Sequence, residues 1–156
     1  MDAAGLTILA RELAADAAVA RGAAENAATW LHNRGPGHLQ ACAYELNRFY
    51  NTIERVFERI CDEFENHFER RGDYHEKLLH RLSLDIPGIR PAFIPADQTA
   101  RLRELKGFRH VMRHAYDLAL REDRLTELAA SARAVAEAVP VWCADFELRV
   151  RAEQDW

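Results

Sequence analysis

The sequence predicts an all-α protein, an antiparallel bundle of four to five helices, and three observations carry that reading. Apolar residues recur at helical spacing over long stretches, as in Leu46, Phe49, Ile53, Phe57, Ile60 and Phe64. Strong stop signals are few and widely separated, at Arg34-Gly35-Pro36-Gly37, at Gly72-Asp73 and across the proline-rich stretch 83–96. No segment alternates apolar and polar residues as a half-buried strand does, and no internal repeat is present.

The first helix is expected from about Leu6 to Asn33, alanine-rich, with Leu6, Leu9, Leu13, Ala17 and Ala20 on one face and a break or bend at Gly22. The second runs from about His38 to Arg70 and carries the heaviest apolar stripe, a load that suggests burial against a second copy of the chain. A short helix from about Tyr74 to Leu82 follows. Ser83 to Ala96, with Pro87, Gly88, Pro91 and Pro95, is the one long irregular stretch. Asp97 reads as the N-cap of a helix reaching about Arg121. The last helix begins near Asp123, and Pro140 is expected to kink or divide it. Antiparallel packing of neighbours joined by short loops completes one domain over residues 1–156.

Composition narrows the function classes. At 49% apolar and 29% charged residues the chain has the balance of a soluble globular protein. No apolar run approaches the roughly 20 residues of a membrane span. Arg11, Glu12 and Asp16 interrupt any signal-peptide pattern, and a cytoplasmic location is expected. Cys42, Cys61 and Cys143 are odd in number, unpaired in spacing, and read as reduced packing residues. The net charge of −4 argues against a general nucleic-acid coat. It conceals an imbalance: from Arg101 to Arg124, seven Arg or Lys face four Asp or Glu, leaving −4 − 3 = −7 for the rest. A basic strip on an acidic body fits a focused anionic substrate; a solvated helix face with internal ion pairs is the competing account.

Within that strip lies Arg109-His110-Val111-Met112-Arg113-His114-Ala115-Tyr116, an Arg-x4-His-x-Tyr pattern. At roughly 100° per residue, Arg109, His110, Arg113, His114 and Asp117 fan across one side of a helix. Phe108, Val111, Met112, Ala115 and Leu118 fall on the other. That placement makes Arg109 and His114 polar-face residues removable for less than about 0.5 kcal/mol of stability. No Glu-x-x-His pair, His-Glu-x-x-His pattern, Gly-x-Gly-x-x-Gly loop or P-loop is present, so no metal or cofactor is expected. His67, His75 and His80, near the end of the second helix, read as partly exposed surface residues.

The segment 109–116 resembles the signature of the HEPN superfamily, and the tyrosine two places after the histidine is the form of HepT-like toxins. Tyr44 to Glu54 is similar to the family's second helix, and Ile86-Pro-Gly-Ile-Arg-Pro91 to its mid-chain loop. The resemblance covers roughly Ala41 to Leu120. It implies metal-independent RNA cleavage, in which a ribose 2′-hydroxyl attacks the adjacent phosphate. Arg109 would hold that phosphate and His114 would move the proton, with His110 and Arg113 assisting in binding. His110 stands where the family often has asparagine or a small polar residue, which leaves two candidate imidazoles. Positions 109 and 114 are about 140° apart around a helix, so a homodimer is expected to gather the two groups in one cleft. Tyr116 is either an amphipathic residue at the dimer seam or, as in HepT-like toxins, the place where a partner nucleotidyltransferase antitoxin attaches AMP. A non-catalytic module that binds nucleotides or docks the nucleotidyltransferase uses the same residues, and a plain helical dimer with a basic stripe is the blandest alternative.

Overall fold

The structure, a computed structural model, describes residues 1–65, 72–114 and 119–154. Among them are five α-helices and no strand: α1 (Ala3–Asn33), α2 (His38–Phe64), α3 (Tyr74–Leu82), α4 (Thr99–His114) and α5 (Glu122–Glu153). No helix among the described residues is long and apolar enough to cross a membrane.

Asp2 starts α1, its Oδ1 accepting the Gly5 N–H at 2.7 Å. The helix then runs without a break through Gly22, at a cost of about 1 kcal/mol in propensity against alanine. It stops where Arg34 turns left-handed at φ 48° and Gly37 follows at φ 75°. Ala17, Ala20, Ala23, Ala24 and Ala27 are all buried. Such short side chains let α1 lie close against α2, and this is the most extensive helix pair in the molecule. From α2, Leu46, Phe49, Ile53, Phe57 and Ile60 enter the same core at 1% exposure or less. The stripe that suggested burial between two copies is therefore satisfied within one chain. The thiols of Cys42, Cys61 and Cys143 are free and buried, pushed up to about 11, about 12 and about 12 by burial.

The irregular stretch after α3 is pinned rather than loose. Phe93 and Ile94 both donate their N–H to the Leu82 carbonyl, at 2.8 and 2.9 Å. The Phe93 ring meets Phe57 of α2 and Phe146 of α5 edge-on, at centroid distances of 6.1 and 5.6 Å. Ile86 and Arg90 pair in a single antiparallel bridge around Pro87-Gly88, with Gly88 at φ 77°. Arg90 is wholly buried behind it. Its five N–H groups meet Glu65 Oε1 twice (2.6 and 3.0 Å) and the carbonyls of Arg81, Leu84 and Pro91 (3.0, 3.2 and 3.3 Å).

Four boundaries differ from expectation. The helix expected to run to about Arg70 ends at Phe64, where Glu65 turns extended at φ −126° and ψ 105°. Asp97 does not cap α4; it sits inside a 3-10 turn, Ala96–Gln98, that leads directly into the helix from Pro95. The described part of α4 ends at His114, and residues 119–121 are not helical, so the helix does not reach Arg121. Pro140 does not divide α5, which spans 32 residues around it and gives up one backbone hydrogen bond there.

Candidate active site

Among the described side chains of α4 the buried ones are Leu102, Leu105 and Arg109, spaced three and four residues apart. Arg109 thus belongs to the core-facing stripe, whereas Val111, assigned to the apolar side, is 42% exposed. The polar-face placement of Arg109 is overturned. Its guanidinium survives burial because α2 and α3 supply acceptors. The Nε–H donates to Asn51 Oδ1, an Nη2 hydrogen points to Glu54 Oε2 at 3.2 Å, and Nη1 faces His75 Nε2 at 3.5 Å. Only 10% of the Arg109 side chain is exposed, and 7% of Glu54.

Glu54 serves two side chains with its two oxygens. Oε2 takes Arg109, and Oε1 pairs with His75 Nδ1. Because Nε2 is turned toward a guanidinium, which can only donate, the geometry fits the neutral imidazole with its hydrogen on Nδ1, donated to Glu54. His75 stays 37% exposed while the carboxylate that orients it is buried. Around this pair, Tyr74 donates its hydroxyl to Glu58, and its ring stands edge-on to the imidazole at 5.2 Å. Tyr50, one turn before Glu54 on α2, is buried with a hydroxyl that has no partner among the described residues. Burial first, and the Glu54 charge second, hold its phenol well above 10.

Burial raises the Glu54 carboxyl above the ordinary 4.5, outweighing the opposite pull of Arg109 and then of His75. A folded value above the unfolded one means the native state holds that proton more tightly. The resulting stability is complete below 4.5 and is lost as pH rises through the folded value. Glu54→Gln should therefore flatten the fall in stability over that window. Urea midpoints at a series of pH values would check it, and an unchanged slope would refute the assignment.

The basic strip is largely paired where it is described. Arg103 and Lys106 both reach Glu76 of α3, the former at 2.7 Å, and these hydrogen bonds, that of Lys106 first, hold the Glu76 carboxyl below its ordinary range. Arg121 binds Asp123, and Arg124 binds Glu127 at 3.0 Å. His110 is exposed on α4, away from the Arg109 face. Arg113 and His114 close the helix, but their side chains lie outside the described residues, as does Tyr116 altogether. A pocket of about 480 Å³ lined by Gly107, Phe108, Val111, Leu120 and Leu125 opens on the far side of α4 from Arg109.

Sequence reasoning missed Asn51, Glu54 and His75. Glu54 carried a signal: it falls beside Tyr50, Ile53 and Phe57 on a core-facing stripe, where a carboxylate needs a cation. His75 carried none, since its role depends on how α3 packs; it is partly exposed, as read, and the structure adds its bond to Glu54.

Comparison with known proteins returns one match. A family model described as HepT-like protein covers residues 41–150, 110 of the 156 positions, from the first turn of α2 almost to the end of α5. No curated protein and no solved structure matches the chain. The matched span contains the two α2 residues, the α3 histidine and the α4 arginine that form the cluster around Arg109, as well as the whole Arg-x4-His-x-Tyr segment, and the chain belongs to the HepT-like family.

Proposed function

We propose that this chain is a metal-independent endoribonuclease of the cytoplasm, the toxin of a toxin–antitoxin pair, held in check by a nucleotidyltransferase antitoxin that adds AMP to Tyr116. The observation that carries the reading is the fixed guanidinium of Arg109 at the head of an Arg-x4-His-x-Tyr segment in a HepT-like chain. An arginine locked by Asn51 and Glu54 need not reorganise as charge develops on a phosphoryl oxygen. His114 moves the proton, and His110 and Arg113 add donors for the RNA backbone. A homodimer brings two motif helices to one cleft, and no cofactor takes part. AMP on Tyr116 would set negative charge and bulk at its mouth.

One observation favours a second reading, a non-catalytic module that binds nucleotides or docks the nucleotidyltransferase: Glu54 already occupies the Arg109 guanidinium, which is little exposed. Incubating the purified chain with RNA in the presence of a chelator separates the two. Ribonuclease action requires cleavage that His114→Ala abolishes and Tyr116→Phe preserves, by a protein that light scattering finds dimeric. Intact mass after co-expression with the partner should rise by whole AMP units, lost in Tyr116→Phe. An intact RNA bound by the parental chain would establish the module instead.

A further inference from the structure

Arg109 and His114 are splayed around α4, yet the chain sets a different imidazole beside Arg109. His75 comes from α3, its Nε2 lies 3.5 Å from Arg109 Nη1, and its Nδ1 is engaged by a buried carboxylate. We propose that His75, oriented by Glu54, is a further catalytic residue of the ribonuclease site: it takes the proton of the ribose 2′-hydroxyl next to the phosphate that Arg109 holds. The inference rests on the ribonuclease reading above and assigns it a base within the same chain as the arginine.

Three features distinguish this arrangement from an ion pair that merely fills the core. A structural partner for Glu54 is already present in Arg109, so the carboxylate does not need the histidine for charge balance. The imidazole is the exposed member of the pair, at 37% against 7%, and so can meet a substrate while its orienter stays dry. Its Nε2 lone pair is engaged only by a contact at the long limit of hydrogen bonding, and a substrate hydroxyl can displace that contact. The unpartnered Tyr50 hydroxyl, buried beside Glu54 and Arg109, adds a donor at the same cluster. Among the described residues, the charges around His75 are Glu54 and Glu58 from α2, Arg109 from α4 and its neighbour Glu76, itself paired with Arg103 and Lys106.

The step balances without an added reagent. The 2′-O–H bond breaks and its proton passes to His75 Nε2, while the 2′-oxygen bonds to phosphorus. The bond from phosphorus to the 5′-oxygen breaks, and that oxygen takes a proton from His114 or water. A 2′,3′-cyclic phosphate and a 5′-hydroxyl leave, and the imidazolium returns its proton to water. Glu54 supports the imidazolium so formed beside the Arg109 charge, the part a buried carboxylate plays in a histidine-based triad.

The test is single-turnover RNA cleavage by the full chain from about pH 5 to about pH 9, bracketing the histidine range. The variants are His75→Ala, His75→Asn and Glu54→Gln, with His114→Ala as reference. His75→Asn keeps a donor toward Glu54 but has no basic nitrogen. Both His75 variants should lose at least about 100-fold in rate, and the acid limb of the profile should vanish. Glu54→Gln, a positioning change, should shift that limb to lower pH. If His75→Asn cleaves at the parental rate with the limb intact while His114→Ala is dead, His75 is excluded and the ribonuclease reading stands. If the parental chain cuts no RNA, both fall together. If His75→Asn is inactive but melts early, imidazole nitrogen NMR of the parental chain decides. Titration of His75 Nε2 along the acid limb supports the proposal, and titration outside the limb overturns it.

Discussion

Arg90→Ala is expected to cost the fold about 3–5 kcal/mol, the range for breaking a buried charge pair. That is a large share of the roughly 5–15 kcal/mol by which domains are usually stable. The effect is large because nothing around Arg90 can relax into water. Its side chain is 0% exposed and that of Glu65 5%, and all five guanidinium hydrogens are in use. Removing the arginine strands a carboxylate, whose other cation is Arg81, together with two carbonyls of the irregular stretch, Leu84 and Pro91, and that of Arg81 at the end of α3. Arg90→Lys should recover little, because an ammonium has three hydrogens on one atom and cannot span acceptors set out for a planar fork. Thermal and urea unfolding of the two variants would check this. A loss below about 1 kcal/mol in Arg90→Ala, no more than an ordinary substitution costs, would show that the network is not what pins the segment.

Arg109→Ala should fail twice, in stability and in chemistry. Glu54 would keep only His75, and Asn51 Oδ1 would lose its donor, for a loss of about 2–3 kcal/mol, discounted from the full buried-pair range because Glu54 can take up a proton. RNA cleavage should fall by about 100- to 1000-fold or more, as for loss of a donor aimed at developing negative charge. Arg109→Lys separates the two effects. The ammonium still neutralises Glu54, so most of the stability should return, but it cannot hold Asn51, Glu54 and a phosphate together, so cleavage should not. Unfolding midpoints and cleavage rates on the same preparations give the comparison. Full activity in Arg109→Lys would mean that charge alone is required there.

Much of the helical frame was legible because its signals are local. The Gly-Pro-Gly turn after Arg34, the start of α2 at His38 and the whole of α3 lie where short-range chemistry puts them. Gly22 does not break α1 and Pro140 does not divide α5 for the opposite reason: packing along these helices outweighs local penalties of about 1 and about 3 kcal/mol. The family was legible from the motif and from the Tyr44–Glu54 segment, and the match over 41–150 includes both. The surroundings of Arg109 were only half legible. A wheel sorted by polarity puts an arginine outside, yet Leu102, Leu105, Arg109 and Met112 follow the core spacing, and Arg109 is buried because Asn51 and Glu54 meet it from α2. Partners of that kind belong to tertiary structure and leave no mark on the helix that needs them.

The packing of the bundle is uneven. α1 and α2 share the most extensive contact, alanine against aliphatic and aromatic side chains, whereas α4 touches α2, α3 and α5 over much smaller areas and is tied to α2 and α3 in part by ions. Native proteins open in units, and the unit with the least buried apolar contact opens first. Here α3 and α4 form that unit, and salt acts on the ion pairs that tie α4 to α2 and α3 while leaving the alanine face of α1 untouched. Amide hydrogens of α4 should exchange with solvent long before those of α1 and α2. Opening of α4 would part Arg109 from Asn51, Glu54 and His75 together, so the assembled cluster exists only in the closed population, and its availability is governed by that population.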